Sequence, residues 1–271
     1  MELEINNSEN KFSDVPLRVK TWCYIILVFA ISISSSITMK LFISWIGCQV
    51  LYEFLRMFQV KRNLFITALS LGIVQFSLLY FLNFEPYSLY AVVFLITFLV
   101  YFLMLKVTVK QGVGIVIGLS LSLLVFPHLL YVRESAFGIK ALVYLVVLTE
   151  LNDVFQYFMG KLFGNHKVMP KISPNKTWEG VVGGVGLTIV LSIILGYFLL
   201  PFTILIQVIL GVVLGVAGFF GDVFMSLLKR KANVKDTGTL LPGHGGLMDR
   251  MDSLIFNAPI FFWVLPLFVK S

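Results

Sequence analysis

Apolar residues run along this chain in long unbroken stretches, separated by short polar segments rather than alternating with them. Nine such stretches fall near residues 21–37, 39–56, 64–83, 88–106, 112–132, 138–159, 180–199, 202–228 and 252–269. A helix crossing the hydrocarbon core needs about 20 mostly apolar residues, and continuity rather than alternation excludes a strand barrel. The pattern therefore predicts an all-α, polytopic integral membrane protein with about nine transmembrane helices. The stretches at 21–37 and 39–56 are joined tightly, so their separation rests on few residues.

Composition removes the soluble alternative. Of 271 residues, 58% are hydrophobic and 13% charged, against roughly 45–50% and 25% in an ordinary soluble domain. Too few charged side chains exist to coat a globule of this size. The net charge of +7 does not point to nucleic acid, because inner-face loops of membrane proteins are basic for topological reasons. Cys23 and Cys48 lie in apolar runs without metal-ligand spacing.

The polar, acidic start MELEINNSENKFSDVPLRVK does not read as a signal peptide and is expected to be a cytosolic tail, residues 1–20. With the N-terminus inside, seventeen of the 21 basic residues fall on the inner side, and Lys40, Arg133, Lys140 and Lys270 fall outside. That follows the positive-inside rule and predicts a multi-pass protein with its C-terminus outside; with no eukaryotic targeting segment read in the sequence, the bacterial inner (plasma) membrane is the expected location. Residues 21–140 form an N-terminal set of spans with short loops. Residues 141–271 form a C-terminal region with two long inner loops, and any chemistry is expected there.

Charged groups within spans are costly, by about 2.5–3.5 kcal/mol each on insertion scales, so their placement carries information. Eight of the fourteen acidic residues, Glu53, Glu150, Asp153, Glu179, Asp222, Asp236, Asp249 and Asp252, fall in or just below the inner half of the membrane. Glu150 and Asp153 share a helix face, Asp222 lies one turn from Ser226, and Asp249 and Asp252 stand where the last inner loop meets the final span. Three helices are thus expected to present carboxylates to one cavity opening to the cytosol. Such a set suits a hard divalent cation, Mg²⁺ before others.

The two inner loops, KLFGNHKVMPKISPNKTWEGVVGG and SLLKRKANVKDTGTLLPGHGGLMDRMDS, supply cations, hydroxyls and glycine amides. Beside metal-binding carboxylates, these are parts for handling phosphate. Thr177-Trp178-Glu179 also offers a helix N-terminus to an anion. Each feature taken singly has a plainer reading. Glu53 fits an interfacial carboxylate salt-bridged to Lys or Arg, and a basic loop fits attraction to anionic lipid. His128 fits a packed residue, and His166 a loop residue. No GxSxG, HExxH or Walker-type loop is present.

The stretch Ser226–Asp252 resembles the signature of the phosphatidate cytidylyltransferases: S-x-x-K-R, four residues, K-D-x-G, then P-x-H-G-G-x-x-D-R-x-D. Its fixed positions are Ser226, Lys229, Arg230, Lys235, Asp236, Gly238, Pro242, His244, Gly245, Gly246, Asp249, Arg250 and Asp252. ISPNKTWEG and GDVFMS resemble further hallmarks of that family. The resemblance is strong over 150–253 and only architectural over 1–149.

It implies a polytopic enzyme, usually dimeric, that moves CMP from CTP to phosphatidic acid and releases pyrophosphate. It also implies Mg²⁺, with a monovalent cation such as K⁺ in some members. Carried over by position, Asp222, Asp249 and Asp252 are the expected metal carboxylates. Asp222, Asp249, Lys229, Arg230 and His244 form the catalytic set. Asp153, Ser173, Lys176, Thr177, Ser226, Lys235, Asp236, Gly245, Gly246 and Arg250 are the expected substrate contacts. One departure is visible: Gln156 stands where the family commonly has alanine, which bears on the acceptor or nucleotide pocket.

Two rival readings share parts of this pattern. A CTP-dependent lipid kinase, or a cytidylyltransferase for another lipid phosphate, would need the same basic and acidic groups. An ion-coupled transporter would carry its charges through mid-membrane, often with repeat symmetry, whereas here they crowd one face.

Overall fold

The computed structural model describes residues 15–60, 63–104, 107–242 and 245–269. Eleven α-helices and one short hairpin follow in order: α1 Val15–Ile33, α2 Ser36–Met57, α3 Leu64–Phe81, α4 Phe84–Met104, α5 Val109–Ser120, α6 Pro127–Arg133 and α7 Gly138–Phe163. The hairpin strands β1 Lys167–Met169 and β2 Ser173–Thr177 come next, then α8 Trp178–Leu199, α9 Ile204–Ala232, α10 Met248–Met251 and α11 Leu254–Val269. All nine apolar stretches lie chiefly on helix. Five helical segments, 64–81, 84–102, 109–133, 178–199 and 204–232, are each long and apolar enough to cross a membrane. Their outer faces carry large apolar side chains such as Phe81, Tyr197 and Phe198, as lipid contact requires.

Local chemistry explains where the helices break. Ser35 separates α1 from α2 through a reciprocal capping box with Thr38. Between α5 and α6 the chain forms a single π turn, Leu121–Val125. Phe126 N bonds back to Leu121 O and Pro127 has no N–H, so the carbonyls of Ser122 and Leu123 lose their helical donors. Gln75 Nε2 donates to Ser122 O at 2.7 Å and Tyr87 Oη to Leu123 O at 2.8 Å. An apolar setting demands such repair, and it ties α3 and α4 to the kink.

α2 lies at the centre of the first half. Met39, Ile43, Ile46, Val50 and Phe54 are fully buried at helical spacing. In the second half α7 and α9 both pack against α8. The buried face of α8 is a four-residue repeat of small groups, Gly180, Gly184, Thr188, Ser192 and Gly196, which lets helix backbones approach. A Cβ on Gly184 would stand 2.8 Å from Gln156 Cα. The antiparallel hairpin pairs Lys167 with Thr177 and Met169 with Ser173, adding a small sheet to the expected all-α fold. Thr177 closes it by capping α8, its Oγ1 accepting from Gly180 N.

Candidate functional site

An open cleft of about 190 Å³ lies between α7, β2, α8 and α9. Asp153, Gln156 and Tyr157 line it from α7, Ser173, Asn175 and Lys176 from β2, and Asp222 from α9. At the end of β2, Lys176 reaches α9 while Thr177 beside it caps α8. Lys176 Nζ lies 2.5 Å from Asp222 Oδ2 and 4.8 Å from the Phe219 ring centroid. Ser226, one turn along α9, donates from Oγ to Asp222 Oδ1 at 3.3 Å.

Two helices bring carboxylates to this cleft, Asp153 on α7 and Asp222 on α9. Asp252, in the turn between α10 and α11, packs its backbone carbonyl against Gly221, the residue before Asp222. Ser253 Oγ donates to Asp153 Oδ2 at 2.6 Å, whereas Asp153 Oδ1 is buried with no hydrogen-bond partner. A buried carboxylate oxygen without a partner suits a hard cation in donor type. No group of three or more His, Cys, Asp or Glu side chains among the described residues is already assembled at metal-binding spacing.

The signature loop behind the cleft is organised by Asp249. Its Oδ1 pairs with Lys229 Nζ at 2.7 Å. Its Oδ2 accepts from Thr237 N at 2.8 Å and Gly246 N at 2.9 Å, and Thr237 Oγ1 lies 3.1 Å away. Asp249 therefore sits in a different network from Asp222, and the expected grouping of Asp222, Asp249 and Asp252 is not preassembled. The reason is local: Lys229 and the loop amides already engage both Asp249 oxygens. Gly245 turns the loop with φ +87°, a left-handed conformation that favours glycine. Leu241 N donates to Gly245 O across that turn.

The other expected site residues separate into groups. Asp153, Ser173, Lys176, Thr177 and Asp222 line the cleft, with Ser226 bound to Asp222. Gly245 and Gly246 stand on Asp249. Lys235 and Asp236 are exposed on the loop. Arg230 is also exposed and donates from Nε to Ile172 O at 3.4 Å. The Arg250 guanidinium stands 5.8 Å from the Trp22 ring centroid, and its buried Nε has no hydrogen-bond partner. His244 lies outside the described residues.

One reading is narrowed and one needs correction. At the start of α8, Trp178 N already donates to His166 O and Gly180 N to Thr177 Oγ1, and the Glu179 carboxylate accepts from Asn165 N and His166 N and pairs with His166 Nδ1 at 2.6 Å. Glu53 makes no ion pair among the described residues. Its carboxylate, 1% exposed, accepts from Thr237 Oγ1, Leu247 N and Met248 N of the signature loop. His128 is a packed residue, buried between Phe84 and Phe262 with Nδ1 on Val125 O.

Sequence reasoning missed Asn175 and Thr237 as well as the role of Glu53. Thr237 lies inside the signature at an unspecified position, and Asn175 lies inside the ISPNKTWEG stretch. Only the rarity of a carboxylate in an apolar run marked Glu53.

Comparison with known proteins places these features in context. The family model described as "Cytidylyltransferase family" matches residues 17–268. Over 268 residues the chain is 38% identical to the uncharacterized protein YnbB of Escherichia coli (strain K12), covering 95% of this chain and 89% of that one. It is 36% identical over 145 residues to the phosphatidate cytidylyltransferase of Bacillus subtilis (strain 168), covering 53% of this chain and 54% of the relative. A phosphatidate cytidylyltransferase of Helicobacter pylori (strain ATCC 700392 / 26695) is 41% identical over 122 residues, 45% of this chain and 46% of its own length. The chain spans about half the length of these two enzymes.

Proposed function

The chain belongs to the cytidylyltransferase family, and from that premise we propose that it transfers CMP from CTP to phosphatidic acid, giving CDP-diacylglycerol and pyrophosphate. The observation that carries this reading is the Lys176–Asp222 pair in an open cleft, next to a loop that holds Lys229 on Asp249. Ammonium groups held on carboxylates are ready to exchange partners with an arriving triphosphate, and charge-assisted contacts of this kind are the strong ones.

A phosphate monoester is largely ionised at neutral pH, with a second pKa near about 6, so the acceptor needs no strong base. Its oxygen attacks the α-phosphorus of CTP in line. A new P–O bond forms to the lipid phosphate, the bond between the α-phosphorus and the bridging oxygen breaks, and pyrophosphate leaves with that electron pair. Lys176 and Lys229 would hold the phosphates, Ser173 and Ser226 would orient them, and Asp153 and Asp222 would face the reacting end. Mg²⁺ would be held by Asp222 with Asp252 and the unpartnered Asp153 Oδ1, and Asp249 would join if Lys229 moved onto the nucleotide. The ion supplies neutralisation of charge on the phosphate oxygens. Nine spans, a cytosolic cleft, an inner-membrane location, a second monovalent cation and a homodimer belong to the same proposal. Labelled CTP in reconstituted membranes tests it, by whether cytosine label enters lipid as pyrophosphate is released.

One observation favours a second reading, CTP-dependent transfer to a different lipid phosphate. Gln156 lines the cleft where the family commonly has alanine, and its Nε2 reaches Gly215 O at 3.4 Å. Identification of the lipid product separates the two.

A further inference from the structure

The first half of the chain, architectural by sequence, enters the site through one side chain. Glu53 of α2 is 1% exposed, and among the described residues no Lys, Arg or His pairs with it. A buried carboxylate without a counter-ion persists only where hydrogen bonds replace its hydration. Glu53 has four: Gln49 Nε2 and Leu247 N donate to Oε1 at 2.8 Å, and Thr237 Oγ1 at 2.7 Å and Met248 N at 3.1 Å donate to Oε2. Three of the four donors belong to the signature loop, more than 180 residues away.

A second observation is independent of these bonds. Gly238 and Gly246 of the signature both lie against Glu53. A Cβ on Gly246 would stand 2.6 Å from Glu53 Oε2 and closer still to Thr237 Oγ1, and one on Gly238 would stand 3.2 Å from Oε1. The loop is shaped to close around this carboxylate. Thr237 then continues the connection: its hydroxyl faces both Glu53 Oε2 and Asp249 Oδ2, and its N–H donates to Asp249. Asp249 in turn holds Lys229. α1 steadies the same loop, with Thr21 Oγ1 donating to Pro242 O at 3.1 Å.

We infer that Glu53 is a positioning residue for the reaction, setting Asp249 and Lys229 through Thr237. The inference rests on the activity proposed above. Glu53→Gln keeps the shape of the side chain but turns one oxygen into a donor facing Thr237 Oγ1 or the loop amides. In full-length protein, kcat/KM for CTP should fall about tenfold or more, with the KM for lipid within about twofold of wild type. Thr237→Val should match it, Thr237→Ser should restore most of the activity, and the double variant should be no worse than the deeper single variant. Additive losses, equal damage to both substrate constants, or Glu53→Gln activity within about twofold of wild type would overturn the inference. If Glu53→Gln fails to fold, the Thr237→Val and Thr237→Ser pair decides by the same criteria.

Hydrogen exchange gives a readout that does not need turnover. Glu53→Gln should speed exchange at the Thr237 and Gly246 amides, which bond Asp249 and not Glu53. Unchanged exchange there overturns the relay. A wild-type protein without turnover but with the faster exchange in the variant would contradict the activity and leave the relay standing.

Discussion

Lys176 Nζ stands 2.5 Å from Asp222 Oδ2, joining the hairpin strand to α9 within the lining of the cleft. The contact ties the loop that offers cations to the helix that offers carboxylates, and it gives the site a defined charge balance before substrate arrives.

Removing either partner should therefore have a different signature. Asp222→Asn should cost about 10²-fold or more in kcat, the scale of losing one directed charge at a transition state. Lys176→Met should act mainly on the KM for CTP. Steady-state kinetics on protein of unchanged thermal stability checks both.

Asp249 organises the loop as well as the charge. Asp249→Asn replaces one acceptor oxygen by a donor, facing either Lys229 Nζ or the amides of Thr237 and Gly246. The loop should open more readily, by about 1–3 kcal/mol. Faster limited proteolysis within 233–247, together with lost turnover, is the expected result.

Gly246 tests how tightly that loop is packed. Gly246→Ala puts a methyl against Glu53 and Thr237 and should destabilise the site by about 1–3 kcal/mol, with most activity lost. Gly186→Ala, on α8, has nothing within 4 Å of the added Cβ and should leave both stability and activity near wild type. Thermal melts in detergent alongside turnover measure the contrast.

The helices were legible because unbroken apolar runs have one stable solution in lipid. Their ends were less so. The stretch expected at 112–132 is α5, a π turn and α6, and Pro127 signals that break, whereas the repair by Gln75 and Tyr87 comes from distant helices. The site residues were legible where spacing within one element carried them, as with Asp222 and Ser226. Glu53 was not, because its partners Thr237, Leu247 and Met248 come from another part of the chain. The division of Asp222 and Asp249 into two networks was equally hidden, since side-chain pairing across loops has no local signal.

Gln156 tests the acceptor. Gln156→Ala removes the amide from the cleft wall and its bond to Gly215 O. The ratio of turnover on phosphatidic acid to that on another lipid phosphate should change by about threefold or more, with the KM for CTP unchanged. Competition between the two lipids in mixed micelles reads that ratio directly.

Metal removal should stop turnover without unfolding the protein. Chelation with EDTA followed by Mg²⁺ should restore activity in the wild type, while Asp222→Asn should need far more Mg²⁺ or fail to respond. Activity titrated against free Mg²⁺ gives the comparison.

The most direct test of the account is one reconstitution: full-length protein in lipid vesicles with cytosine-labelled CTP, phosphatidic acid and Mg²⁺, followed through lipid and pyrophosphate together. Label entering CDP-diacylglycerol with equal pyrophosphate release is the predicted result. Folded protein that puts no cytosine label into any lipid phosphate, or that instead phosphorylates a lipid and releases CDP, would contradict it.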